Sequence, residues 1–208
     1  PYAESTDRAV RKAAREVSAN FFAENKEKFD AIYDQLVKLR HTIATTLGFK
    51  NYVELGYVNM NRVDYNAEMV AKFREQVREF IVPVASKLYE RQAERIGVET
   101  FKFYDEGLTF LTGNATPQGD AGWIVENGKK MYDELSKETS EFFNYMIDRD
   151  LMDLVAKKGK EGGGYCTFIE DYDAPYIFSN FNGTSGDIDV LTHEAGHAFQ
   201  VYSSRNIG

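Results

Sequence analysis

The stretch His193-Glu194-Ala195-Gly196-His197 constrains this chain more than any other, because its side chains can work together only on a helix. Positions four apart lie about 40° apart around a helix axis and one turn along it, so both imidazoles can reach a common point. Glu194 sits about 100° from His193 and about 60° from His197, on the same side but off the line joining them. Ile188, Leu191, Ala195, Ala198 and Tyr202 recur at spacings of three and four and mark the face expected to be buried. Thr184 and Asp187, in the Gly183-Thr184-Ser185-Gly186-Asp187 lead, offer a Thr-x-x-Asp capping box. Gly196 costs on the order of 1 kcal/mol against alanine inside a helix, so its expected use is to let something pack or bind close to the backbone.

This is the H-E-x-x-H spacing of zinc peptidase chemistry: His193 and His197 as ligands to one Zn2+, and Glu194 as general base on a zinc-bound water that attacks a carbonyl. Ligating imidazoles usually donate their other N–H to a carboxylate or carbonyl, which makes Asp189, one turn before His193, a candidate acceptor. The alternative for Asp189 is a solvent-facing acid near a helix start, where the dipole favours it. The third histidine, His41, falls inside an upstream helix and is left out of the site.

With 208 residues, 43% hydrophobic and 28% charged, the chain can bury a core. A net charge of −8 with no basic block argues against nucleic acid as a partner. No apolar run of about 18 residues and no signal-peptide pattern is present, so neither a membrane span nor export is expected and the cytoplasm is the default location. Cys166 is the single cysteine and has no internal disulfide partner.

The fold class expected is mainly α, with long helices and a small β-hairpin or edge-strand pair before the motif helix. One helix is expected from Asp7 to about Leu47, started by Ser5, Thr6 or Asp7 and ended by Gly48. Arg8, Arg11, Lys12 and Arg15 read as its solvated flank, and Phe21, Phe22, Phe29, Ile32 and Leu36 among its apolar stripes. Residues 49–58 read as a connection. A second long helix, about Ala67 to Arg95, should be kinked or divided by Pro83, with Met60, Met69, Phe73, Phe80 and Tyr89 as core filler. Two shorter helices follow, about Pro117 to Ser136 and Ser140 to Ala156. The composition changes at Lys157, which separates a helical region, 1–156, from a segment 157–208 of the same catalytic domain that carries a glycine-rich strand pair and the motif helix. Gly162, Gly163, Gly164 and Tyr165 are the candidate substrate-binding residues: the stretch from Gly162 to Phe168 is expected to be an edge strand facing the metal and pairing with peptide backbone.

Taken together, Gly162-Gly163-Gly164-Tyr165-Cys166, Pro175-Tyr176-Ile177-Phe178, Asn180-Phe181-Asn182-Gly183-Thr184 and the run Asp187 to His197 resemble the oligoendopeptidase F branch of the thimet-oligopeptidase-like zinc metallopeptidases. The upstream helices, including Leu47-Gly48-Phe49-Lys50-Asn51-Tyr52, share the likeness. The resemblance implies a mainly helical fold around a channel that admits oligopeptides, His193 and His197 as zinc ligands, and Glu194 as general base. It also implies a third ligand, a glutamate on a following helix, yet Ala198 to Gly208 contains no Asp, Glu, His or Cys. The chain therefore reads as a central fragment of a metalloendopeptidase that would hold zinc weakly, cleave peptides slowly or not at all, and tend to self-associate through apolar surface. Two other readings stay open: a helical peptide-binding module without catalysis, and a zinc hydrolase completed from upstream by Glu161, Glu170, Asp171 or Asp173.

Overall fold

Helices dominate the computed structural model, which describes residues 1–207, and one three-stranded sheet sits among them. The chain divides into two compact units, one of residues 2–113 and one that holds residues 114–207.

In the first unit, α1 (Arg8–Glu24) starts at Asp7, whose carboxylate accepts from the Ala9 amide at 2.8 Å. The single helix expected from Asp7 to Leu47 is two, α1 and α2 (Lys26–Thr46), parted at Asn25. The Asn25 side-chain amide turns back onto the Phe21 carbonyl at 2.9 Å, the local competition for backbone bonds that makes asparagine a poor interior residue. Gly48, at φ +86°, ends α2 in the left-handed conformation that suits glycine. The expected connection at 49–58 is largely a helix, α3 (Tyr52–Asn59), capped by Asn51 on the Val53 amide at 2.9 Å. The second long helix is indeed divided, into α4 (Ala67–Gln76) and α5 (Val82–Arg95), through a five-residue π turn, Val77–Ile81. Pro83 accounts for it: proline has no N–H for the carbonyl four back and its ring presses on that carbonyl, and the wider turn, with the Val82 amide reaching the Val77 carbonyl, makes room.

Arg11 is not on a solvated flank, and Arg8, although exposed, is tied to the same buried partner. Asp105, wholly buried in the loop after α5, accepts from Arg8 Nε at 3.0 Å, Arg8 Nη2 at 2.7 Å, Arg11 Nη2 at 2.9 Å and the Lys102 amide at 3.0 Å. Arg11 is itself only 2% exposed and spends Nη1 on the Ser5 and Thr6 carbonyls at 2.7 and 3.2 Å. Burial alone would push the Asp105 carboxyl up, but the hydrogen bonds from the two guanidiniums and the amide outweigh it and bring it from 3.8 down to about 2. A helical wheel cannot reveal a partner 94 residues away. The apolar stripes are also corrected: Phe21, Phe22, Phe29, Met60, Met69, Phe73, Phe80 and Tyr89 are all exposed. Periodicity says which face can be buried and not what covers it.

In the second unit, α6 (Ala121–Leu135) is capped by Asp120 on the Trp123 amide at 3.0 Å, and α7 (Lys137–Asp148) by Ser136 on the Thr139 amide at 3.2 Å. Both are shorter than expected. Asp150, at φ +53°, turns the chain out of α7, and Met152–Val155 forms β1 where a helix was expected to run on to Ala156. β2 (Tyr165–Ile169) and β3 (Ala174–Phe181) make the expected hairpin, antiparallel with Tyr165 opposite Phe178, while β1 runs parallel on the other side of β3. The order β1-β3-β2 leaves β2 at an edge. The composition change at Lys157 falls between β1 and β2, inside this unit. The last helix, α8 (Gly186–Ser204), lies on β3 and β2 and against α7. Phe142, Phe143 and Met146 of α7, Ile177 of β3, and Leu191, Ala195 and Ala198 of α8 are sealed in the core. A fully buried side chain the size of Phe or Leu contributes about 1.5–3 kcal/mol, so this cluster is what fixes α8 against the sheet.

Removing one partner of a buried ion pair leaves the other uncompensated, so Asp105→Asn should cost about 3–5 kcal/mol in urea unfolding at neutral pH. Because the Asp105 carboxyl is depressed, its contribution is fully present above its ordinary 3.8 and is lost as the pH falls through about 2. The difference between wild type and variant should therefore shrink over that interval. A difference under about 1 kcal/mol at neutral pH, within the range of surface pairs, would contradict the assignment.

Candidate active site

The turn between β3 and α8 sets where the motif points. Asp187, 6% exposed, accepts from the Asn182 amide at 2.9 Å and the Gly183 amide at 2.8 Å. That replaces the expected Thr184–Asp187 capping box: the helix begins at Gly186, Ser185 occupies the cap position without a side-chain bond, and the Asp187 carboxylate holds the turn instead. Buried hydrogen-bonded carboxylates of this kind rigidify a turn because two orphan amides depend on one group.

With that end fixed, α8 buries Leu191, Ala195 and Ala198, and Tyr202 packs its ring on Phe142 and Tyr145 at centroid distances of 5.5 and 5.0 Å. Ile188, expected on the buried face, is 40% exposed. His193 and His197 stand on the open side with their Nε2 atoms 3.1 Å apart and ring centroids 4.7 Å apart. Two nitrogens each 2.0–2.1 Å from a tetrahedral zinc would be about 3.3 Å apart, so the pair fits that ion. Among the described residues, no group of three or more His, Cys, Asp and Glu is placed to hold a metal, and Glu161, Glu170, Asp171 and Asp173 do not complete the pair. No atom outside the helix lies within 4 Å of a Cβ built at Gly196, so the space beside it is open to a ligand rather than filled by packing.

Glu194, 8% exposed, shares a groove with β2. The Cys166 thiol is pushed up first by burial and then by the Glu194 charge. Between them runs a groove of about 440 Å³, lined on one side by Gly164 to Phe168 and on the other by Glu194, His197, Gln200 and Val201. Three of the four candidate substrate-binding residues therefore need relocating relative to the expected strand. Gly162 and Gly163 precede β2 in a turn, Gly163 at φ +103°, and Gly164 is a packing position, where a Cβ would come within 3.3 Å of Val190 Cγ1. Tyr165 opens β2, with its ring stacked on Phe178 at 5.0 Å and 16°. Asp189 is exposed, and among the described residues no hydrogen bond joins it to either imidazole. Asp187, Cys166, Gln200 and Val201 were not singled out from sequence as site residues; for Gln200 the available signal was its position three residues past His197 on the same helix. A groove of about 450 Å³ elsewhere, lined by Tyr57, Arg62, Tyr65 and Met69, holds no histidine or cysteine.

Comparison with known proteins points the same way. A sequence model of peptidase family M3 matches residues 1–108 and 129–207. An oligoendopeptidase F homolog of Mycoplasma genitalium is 23% identical over 94% of this chain and 32% of its own length. The structure of PZ peptidase A with an inhibitor superposes with a TM-score of 0.96 at 70% identity, over 99% of this chain and 37% of that one. A Bacillus anthracis protein assigned as an oligoendopeptidase F superposes with a TM-score of 0.93 at 66% identity, over all of this chain and 38% of that one. The chain thus spans about a third of the length of these relatives.

The two aspartates at the start of α8 should separate cleanly in mutagenesis. Asp187→Ala leaves two amides without their charged acceptor and should cost about 2 kcal/mol in chemical denaturation, whereas Asp189→Asn should stay within about 0.5 kcal/mol of wild type. Equal effects, or the reverse order, would contradict this account of the turn.

Proposed function

The chain belongs to peptidase family M3, and from that premise we propose that it is the metal-binding segment of a zinc-dependent endopeptidase that cleaves oligopeptides. The observation that carries the reading is the pair of Nε2 atoms converging to 3.1 Å one residue from a carboxylate that faces a groove. His193 and His197 would hold the ion, and the remaining protein ligand would be the glutamate on a following helix that the family likeness implies. Bound zinc supplies Lewis acidity toward a water and the scissile carbonyl.

The other steps fall to this chain's own side chains. Glu194 takes the proton of the attacking water and returns it to the departing amine, the acid–base duty that a carboxylate held beside the reacting centre performs. The free edge of β2 gives an extended peptide backbone N–H and C=O groups to pair with, while side chains alternate toward and away from the groove. Such pairing selects for an extended chain and not for particular side chains, which suits a substrate class of short unfolded peptides. Among the described residues no helix is long and apolar enough to cross a membrane.

In the full-length protein, Glu194→Gln should lower kcat by a factor of at least about 10² to 10⁴, the usual contribution of a general base, with one zinc still bound per chain. His193→Ala should lose the zinc as well as the activity. Retained turnover in Glu194→Gln would remove the general base from this position, and loss of zinc in that variant would make Glu194 a ligand instead.

A further inference from the structure

The reading of β2 as the peptide-aligning edge raises a physical difficulty that the glycines create. Residues 157–164 contain Gly159, Gly162, Gly163 and Gly164, and glycine loses more conformational freedom on ordering than any other residue. The ladder to β3 orders β2 from Tyr165 to Ile169, but the Gly164 end of the groove rim hangs from this loose lead, and substrate would have to order it at the moment of binding, which weakens affinity.

Two side chains outside the motif counter this. Lys160, whose side chain is only 4% exposed, sends Nζ to the Asp153 carbonyl at 2.9 Å and the Val155 carbonyl at 3.0 Å, pairs with Asp153 Oδ1 at 3.1 Å, and lies 4.5 Å from the centroid of the Phe178 ring. That ring is the one on which Tyr165 stacks. Asn180 of β3 donates Nδ2 to the Glu161 carbonyl at 2.8 Å and the Gly163 carbonyl at 2.9 Å. Lys160 thus pins the middle of the loop to β1, and Asn180 pins its end to β3, one residue before Gly164 packs against Val190. A buried ammonium is costly unless every donor is satisfied; here carbonyls, a carboxylate and an aromatic face all converge on one.

We propose that Lys160 and Asn180 are positioning residues for peptide binding: by fastening the glycine loop they hold the Gly164 end of the groove rim, where the chain enters β2, in place before substrate arrives. Neither touches the reacting atoms, so their effect should fall on binding. The inference rests on the peptidase reading above, and the test separates the two.

The experiment compares full-length wild type with Asn180→Ala, Lys160→Met and Lys160→Arg, measuring zinc content, kcat and KM on a quenched oligopeptide, and amide exchange of residues 161–169 without substrate. For Asn180→Ala and Lys160→Met the expected result is faster exchange in 161–169, KM raised about tenfold, kcat within about threefold, and zinc still one per chain, the pattern of lost uniform binding. Lys160→Arg, which keeps the cation and its donors, should recover most of the KM. Faster exchange with unchanged KM overturns the proposal while leaving the peptidase reading intact, and so does a parallel loss of zinc and kcat, which would mark a general structural role. Should Lys160→Met fail to fold, Asn180→Ala alone decides by the same criteria. A full-length wild type that cleaves no peptide would instead sink the reading on which the proposal rests.

Discussion

Everything about the site depends on α8 lying flat on the sheet. Ala195 and Ala198 are completely buried, and their small side chains let the helix backbone approach Phe142 and Ile177, which are equally buried. A larger residue at either position would have to displace atoms packed at crystal-like density. Since Ala195 and Ala198 fall between and just after the histidines, seating them on the core necessarily turns His193 and His197 outward, and it leaves Glu194 at the border where the helix meets β2. The two imidazoles are exposed because Glu194, Ala195 and Ala198 beside them in sequence are buried.

The same interaction explains why a chain of mostly exposed helices can present a rigid site. In residues 2–113, large apolar side chains such as Phe22, Phe73 and Phe80 are open to solvent, and order comes from a few polar anchors, chiefly Asp105 with its two arginines. In residues 114–207 the order comes from a conventional apolar core. The motif sits on the second kind of support, which resists distortion because many contacts must fail together.

How much of this could be read from the residues alone follows from the range of the interactions. The motif helix, its buried alanines and the β2–β3 hairpin were legible, because helical spacing and β-branched or aromatic runs between turn residues are local signals. The helix start among Ser5, Thr6 and Asp7 and the stop at Gly48 were legible for the same reason, though only the structure picks Asp7 as the cap. What was not legible was set by partners far along the chain or by single-residue competition. Arg11 reads as a surface cation until Asp105 is seen against it, Asn25 reads as helix interior until its side chain turns onto Phe21, and β1 reads as the end of a helix until β3 supplies its ladder. At the site the edge strand expected from Gly162 begins only at Tyr165, because Gly162 and Gly163 turn before it and Gly164 meets Val190. Asp187 was visible as a helix-start acid, yet its grip on two amides depends on the path of the preceding turn, which no spacing rule gives.

The central claim is that His193 and His197 jointly hold a zinc ion beside Glu194, and diffraction from zinc-loaded crystals of the full-length protein, recorded on both sides of the zinc absorption edge, tests it most directly. The account predicts a single anomalous peak about 2.0–2.1 Å from Nε2 of both histidines, on the side of α8 that faces β2. A peak at another cluster of side chains, or none at saturating zinc, would contradict it.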